Sequence, residues 1–279
     1  MSNLDPKTVE GFGEEWAAFD QRELNRTELA DRFDEYFAIF PFAALPKNAE
    51  GFDLGCGSGR WASLVAPKVG KLHCIDPSAK ALDVARELMR DAANVDFHVA
   101  GVDNIPLADG SQDFGYSLGV LHHIPDTEAG MASCVRKLKP GAPFLVYLYY
   151  NFENRPAAFR WLWRASDVGR RAISSLPFAL RLAVSNVLAA TVYYPLARLA
   201  GAAERRGRDV SSMPLSYYRN YGFYTMRTDA LDRFGTRLEH RFSRQDIAGM
   251  MERCGLEHIV FSDRVPHWVA CGRRSARAM

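Results

Sequence analysis

Apolar positions along this chain follow two different rhythms. Between residues 1 and 48, Trp16, Phe19, Leu24, Leu29, Phe33, Tyr36, Phe37 and Phe40 recur at roughly helical spacing with charges between them. That spacing predicts helices with one apolar face, and Pro41 and Pro46 close the stretch. From residue 49 to 150 short apolar runs take over: the approach to Asp53, Lys71 to Ile75, Val95 to Val99, the run that Asp113 opens, and Phe144 to Tyr150. These read as five strands, with helices between them such as Ala79 to Arg90, whose Ala81, Leu82, Ala85 and Leu88 share a face. Strands that alternate with helices imply a parallel sheet with right-handed crossovers. Residues 151 to about 225 break the rhythm with apolar-aromatic blocks, many arginines (Arg160, Arg164, Arg170, Arg171, Arg181 and Arg198 among them) and few acids. From residue 226 the alternation returns. Ser243 and Asp246 open a helix over Gln245 to Cys254 that turns Ile247, Met250 and Met251 inward, Gly255 stops it, and Leu256 to Phe261 and Trp268 to Cys271 read as an antiparallel hairpin at the sheet edge.

Composition narrows the class without naming a function. The chain has 279 residues, 48% of them hydrophobic, and a net charge of +2, enough chain for one elaborated α/β domain and too little charge to argue for nucleic acid. The five cysteines, Cys56, Cys74, Cys134, Cys254 and Cys271, form no C-x-x-C pair and favour a reducing compartment. The acidic N-terminus has no apolar signal core, and the longest apolar stretch, Leu182 to Leu196, is shorter than the about 20 residues that cross a bilayer. The expected location is cytoplasmic.

The chemistry concentrates in Phe52 to Trp61, FDLGCGSGRW. An apolar strand ends in Asp53, and Gly55, Gly57 and Gly59 alternate with other residues before a helix-like run. Such a turn lets a ligand approach backbone without meeting a Cβ, which points to a nucleotide at a strand end. A dinucleotide fingerprint would read G-x-G-x-x-G. Here the third glycine comes one residue early and Trp61 stands in its place. A P-loop is excluded because no Gly-Lys-Ser/Thr follows. Roughly 20 positions on, Asp76 ends the second strand, placed to accept hydrogen bonds from ribose hydroxyls. Pro77 blocks further strand, and Ser78 can cap the next helix.

DLGCGSG, together with the later SLGVLHHIPD and LKPG segments, resembles the class I S-adenosylmethionine (SAM)-dependent methyltransferases. The resemblance covers about 100 residues and implies an α/β, Rossmann-like, seven-stranded and mostly parallel sheet with an antiparallel last strand. Around it are expected an N-terminal helical lid (1–48), a SAM-binding half (49–150), a helical insertion after strand five that caps the substrate (151–225) and the last helix and strands of the same sheet (226–279). It implies SAM as cofactor, with S-adenosylhomocysteine as product. Asp53, Gly55, Cys56, Gly57, Gly59 and Trp61 would surround the methionine end, Asp76 and Pro77 the ribose, Val102 and Asp103 the adenine. Leu118 and Gly119 would lie beside the methionine, and Trp16, with Phe12, would shield the sulfonium.

An oxygen nucleophile needs its proton removed near neutral pH, and histidine suits that task. His122, His123 and His240 are the candidates. Tyr218, Tyr224 and Arg227 could line an acceptor pocket, Arg227 holding an acidic group. No metal is expected: there is no H-E-x-x-H helix, and adjacent His122 and His123 point differently from one backbone. The expected activity is methyl transfer to a small molecule, at oxygen first, then nitrogen or carbon. Alternatives are a peripheral enzyme that touches membrane through 151–210 and takes a lipophilic substrate, a NAD-dependent oxidoreductase, or a non-catalytic SAM-binding module. A homo-oligomer stays open, and nucleic acid is not an expected partner.

Overall fold

Seven strands form one sheet in the order β3-β2-β1-β4-β5-β7-β6, in a computed structural model that describes residues 2–19 and 25–276. Leu24 of the N-terminal apolar stripe lies outside the described residues. The strands are β1 (Glu50–Leu54), β2 (Lys71–Asp76), β3 (Val95–Val99), β4 (Phe114–Leu118), β5 (Pro143–Tyr147), β6 (Leu256–Phe261) and β7 (Val269–Arg274). Ten α-helices accompany them among the described residues: α1 (Pro6–Ala18), α2 (Arg26–Phe37), α3 (Ala62–Val65), α4 (Ala79–Leu88), α5 (Thr127–Lys137), α6 (Ala157–Ser174), α7 (Phe178–Leu188), α8 (Tyr194–Glu204), α9 (Phe223–Gly235) and α10 (Arg244–Arg253). The first five strands pair in parallel, and β7 runs antiparallel to both β5 and β6. The expected sheet, with its antiparallel end, is the one observed.

The chain divides into two compact units: 1–20, 30–151 and 238–279 form the first, and 21–29 with 152–237 form the second. The boundary expected at residue 225 falls inside α9. Strand five is also shorter than expected. It ends at Tyr147, and Tyr150 makes an isolated parallel bridge to Phe242 instead.

In the first unit, period-two alternation sends side chains to opposite faces of the sheet. On one face Phe52, Leu54, Ile75, Phe144 and Val146 pack with Met131, Cys134 and Val135 of α5 and Ile247, Met250 and Met251 of α10. Burying each such side chain contributes about 1.5–3 kcal/mol. Phe52 fits because Gly115 faces it, where an added Cβ would sit 2.4 Å from the ring. On the other face Leu72, Cys74, Phe114 and Tyr116 are fully buried, and Phe37 of α2 meets Tyr116 edge-on at 5.3 Å. All five thiols are buried and unbridged.

The second unit is helical. A π-helical turn, Ala189–Tyr193, joins α7 to α8, and Ala189, Tyr193 and Ala197 pack against Met226 and Ala230 of α9. Glu28 accepts hydrogen bonds from the Gly222 N–H and the Thr225 hydroxyl at the start of α9. Among the described residues no helix is long and apolar enough to cross a membrane.

Candidate cofactor and catalytic site

Parallel sheets bind ligands outside the carboxyl ends of their strands, and the first unit has a cavity there. About 760 Å³ of empty space, counted out to its open mouth, is lined by Leu54 and Gly55 after β1, Asp76 and Pro77 after β2, Val102 beyond β3, and Leu118 to Leu121, His123 and Ile124 after β4. Its remaining wall is one face of α1 and the residues before it: Leu4, Asp5, Thr8, Val9, Phe12 and Trp16. Asp5 starts that helix, its carboxylate accepting from the Lys7 N–H and the Thr8 hydroxyl, which satisfies two donors at the helix start. Gly13 lets α1 approach the start of α4, since a Cβ there would lie 2.4 Å from the Ser78 hydroxyl.

The glycine turn is braced by Asp76. Its carboxylate accepts from the Gly57 N–H at 2.9 Å and from the Ser78 N–H at 2.8 Å. Burial raises the Asp76 carboxyl to about 6 while these two hydrogen bonds oppose the shift, so it is mostly ionised at neutral pH. Gly57 sits at φ +53°, where L side chains are strained, and a Cβ would also press within 2.8 Å of the Trp16 indole nitrogen. Gly119 differs: at φ +79° its missing Cβ would meet nothing within 4 Å, so backbone is presented bare to the cavity it lines.

Asp53 lies behind the turn, 2% exposed, with Oδ2 lacking a hydrogen-bond partner. Burial raises its carboxyl to about 8, the Tyr116 hydroxyl opposing and the charge of Asp76 adding. Several expected cofactor residues stand with Asp53 as supports, outside the cavity lining. Cys56 is buried, and burial pushes its thiol well up. Gly59 lets the turn close on α4, where a Cβ would come within 3.0 Å of Ala85 Cβ. Trp61 packs on Tyr36 at 4.9 Å with the Arg60 guanidinium 4.5 Å over its ring. Asp103, a candidate for adenine, points elsewhere: its carboxylate accepts from the Asn3 N–H and the Ser2 hydroxyl. Val102, Pro77, Leu118, Gly119, Gly55, Asp76 and Trp16 do line the cavity.

The three histidines are separated by environment. His123 lines the cavity and sits 5.0 Å from the Phe12 ring. Its Nδ1 lies 2.7 Å from the Leu238 carbonyl, which can only accept, so Nδ1 carries the proton and Nε2 presents a lone pair that has no partner. Burial lowers this imidazole to about 4 against the pull of the Leu238 carbonyl and Glu239. His122 is fully buried, stacks on Tyr149 at 3.8 Å and does not line the cavity. Burial holds it neutral, well below the usual range. His240 braces the pair, its N–H donating to the His122 carbonyl at 2.9 Å.

The expected acceptor residues fall in the second unit. Arg227 Nε donates to the Asn186 side-chain carbonyl at 2.9 Å, Tyr218 packs on Tyr193 at 5.4 Å, and the Tyr224 carbonyl accepts from the Thr228 hydroxyl.

These features fit SAM. Ionised Asp76 offers acceptors to ribose hydroxyls, bare backbone at Gly55 and Gly119 admits the amino-acid end, and Phe12 and Trp16 are aromatic faces for a sulfonium cation. The sequence marks Phe12, Trp16 and the Ser117 to Leu121 loop but not Leu4, Asp5, Thr8, Val9 or Ile124. The signal was present, because Asp5, Thr8, Val9, Phe12 and Trp16 keep the three- and four-residue spacing of one helical face.

Comparison with known proteins agrees. Residues 52–146 match the methyltransferase domain family. Relatives called ubiquinone biosynthesis O-methyltransferase include one from Xanthomonas campestris pv. campestris (strain B100), 30% identical over 189 residues covering 67% of this chain and 74% of that protein. Another, from Thiobacillus denitrificans, is 33% identical over 107 residues, covering 38% of this chain and 44% of its own length, so the match spans less than half of that protein. Solved SAM-dependent methyltransferases from Methanosarcina mazei (TM-score 0.52, 17% identity, covering 86% of this chain and 99% of that one) and Thermotoga maritima (TM-score 0.52, 14% identity, 96% and 100%) share the fold. By motif, sheet order and relatives, the chain belongs to the class I S-adenosylmethionine-dependent methyltransferases.

Proposed function

We propose that this enzyme methylates an oxygen of a small molecule held beside His123. SAM supplies an electrophilic methyl group on a positive sulfur. Asp76 would hold the ribose, the backbone at Gly55 and Gly119 the amino-acid end, and Val102 the adenine edge. Phe12 and Trp16 would exclude water from the reacting centre. The observation that carries the reading is His123 in the cavity lining, its ring kept unprotonated by burial and oriented through Nδ1 by the Leu238 carbonyl, with a buried Nε2 that has no partner. An acceptor hydroxyl would donate to Nε2 and pass its proton there as the new O–C bond forms and the C–S bond breaks. The relatives named as O-methyltransferases support oxygen as the acceptor atom. The buried thiols suit a reducing compartment, which supports a cytoplasmic enzyme.

The test is S-adenosylhomocysteine release with a panel of phenols, catechols, carboxylates and amines, for the native protein and His123→Asn. A general base contributes about 10²–10⁴-fold, so kcat should fall by that factor while S-adenosylhomocysteine affinity holds. Turnover of amines alone overturns the oxygen assignment. A variant within tenfold of native overturns the base.

A second reading rests on the surface of the second unit. On α6, Trp161, Leu162 and Val168 are 69%, 57% and 72% exposed, with Arg164 and Arg171 on the same helix. Exposed aromatic and aliphatic groups beside cations suit an interfacial helix on anionic lipid that gathers a lipophilic acceptor. Flotation with phosphatidylglycerol vesicles should carry native protein and lose Trp161→Ala/Leu162→Ala. Equal flotation of both, or of neither, removes this reading.

A further inference from the structure

One face of the β2–β3 pair, beside the start of β1, holds a second polar cluster that methyl transfer does not use. His73 is buried on β2, and its neighbour β3 supplies Asp96 and His98, two residues apart and therefore on one face. Parallel pairing puts Asp96 opposite His73 and His98 opposite Ile75. His73 Nδ1 lies 3.0 Å from His98 Nε2 and 3.8 Å from Asp96 Oδ2. The three side chains offer ligand atoms that all lie within 4.8 Å of one another.

We propose that His73, His98 and Asp96 bind one divalent transition-metal ion of the zinc class. Two imidazole nitrogens on one tetrahedral zinc stand about 3.3 Å apart, given Zn–N bonds of about 2.0–2.1 Å. The observed pair is already near that spacing, and the carboxylate, 3.8 Å from the His73 nitrogen, must close on both rings. The orientation of His73 is set from behind. Glu50 Oε1 of β1 lies 2.7 Å from His73 Nε2, and a carboxylate only accepts, so in the neutral ring the proton is on Nε2 and the Nδ1 lone pair faces the site. A carboxylate behind a ligating histidine is a recurrent way to fix the tautomer and raise the ligand's basicity. His98 would bind as its Nδ1–H tautomer, with no net proton lost.

Lys71 opposes binding, its ammonium lying 2.8 Å from Asp96 Oδ2. It is 43% exposed and can release Asp96 by swinging into water. Imidazole with one carboxylate favours zinc, cobalt, nickel or copper over calcium or magnesium. An ion here would tie β3, the edge strand of the sheet, to β2, and Glu50 would carry the tie to β1.

The test uses full-length, tag-free protein stripped of metal, titrated with Zn²⁺ by calorimetry and with Co²⁺ by visible absorption. One ion per chain, a Tm that rises with Zn²⁺ and a four-coordinate Co²⁺ spectrum are expected. Glu50→Gln should weaken binding by roughly 10–100-fold, His98→Ala by more, and Lys71→Met should tighten it. His98 and Lys71 are partly exposed, so both variants should fold. No binding below millimolar Zn²⁺, or equal binding by His98→Ala, overturns the site.

Discussion

The carboxyl ends of the strands and one face of the β2–β3 pair solve opposite problems with the same sheet. At the carboxyl ends Gly55 and Gly119 line an open cavity whose other walls are scattered side chains such as Phe12, Trp16 and Leu118, and one carboxylate, Asp76, takes the Gly57 and Ser78 N–H groups. On the paired face the surface is all side chain, with His73, His98, Asp96 and Glu50 closing on one another. A large organic cation needs room and scattered contacts. A small ion needs several strong donors at one point. The contrast teaches that strand pairing delivers convergent side chains, whereas strand ends deliver accessible main chain.

The strongest way to break this contrast is Asp76→Ala. It removes a charged acceptor from two backbone donors and from the ribose, at about 1.5–3 kcal/mol for each hydrogen bond to a charged group. S-adenosylhomocysteine affinity by calorimetry should fall by about 100-fold or more. Affinity within tenfold of native would show that the turn holds itself. Zn²⁺ binding at the His73–His98 cluster should persist.

Gly57→Ala comes next. The left-handed backbone costs an ordinary residue about 1–2 kcal/mol, and the new methyl must displace the Trp16 indole. Tm should drop by several degrees, at about 2–4 °C per kcal/mol in a chain this large. In a Trp16→Ala background the second part of the cost vanishes, so the double variant should be less damaged than the sum by about 0.5 kcal/mol or more. Strict additivity would mean that Trp16 does not rest on the turn.

Asp53→Asn is subtler and depends on pH. The Asp53 carboxyl is raised to about 8 in the fold from the ordinary 3.8. Between those values the folded chain keeps a proton that the unfolded chain has lost, so this group makes the protein less stable as pH rises from about 4 to 8 and adds no further loss above 8. Asparagine removes that slope. The Tm difference, variant minus native, should grow from pH 5 to 8 and then level. A difference that does not change with pH would place the Asp53 pKa near its ordinary value.

Legibility in the sequence follows the same division. The cavity was readable because its parts are short and consecutive: a glycine turn, an acid one strand later, a Ser117 to Leu121 loop. Asp76 could be placed by counting residues. Asp103 could not, since its position on a loop was read from a motif that this chain only approximates, and the N-terminal residues claim it. Strand five was overextended because apolar residues continue past Tyr147 after the chain has left the sheet. The metal-ligand geometry was invisible for a different reason. His73 and His98 are 25 residues apart, and only the β2–β3 register brings them together. Adjacent His122 and His123 drew attention as a pair, and their rings do lie 4.0 Å apart, yet only His123 lines the cavity.

The smallest effect is expected where the two sites should not communicate. His98 pairs with Ile75, one residue before Asp76, so its side chain leaves the opposite face of the sheet, and the described contacts give His98 and Asp76 no shared partner. Sites without shared partners usually add within about 0.3–0.5 kcal/mol, so His98→Ala should leave S-adenosylhomocysteine affinity within about twofold of native. The converse follows by linkage, because coupling between two binding events is reciprocal: saturating the cavity with S-adenosylhomocysteine should leave the Zn²⁺ titration unchanged. If either ligand instead shifts the other's affinity tenfold, β2 is not a rigid spacer, and the position of Asp76 depends on how tightly β3 is held.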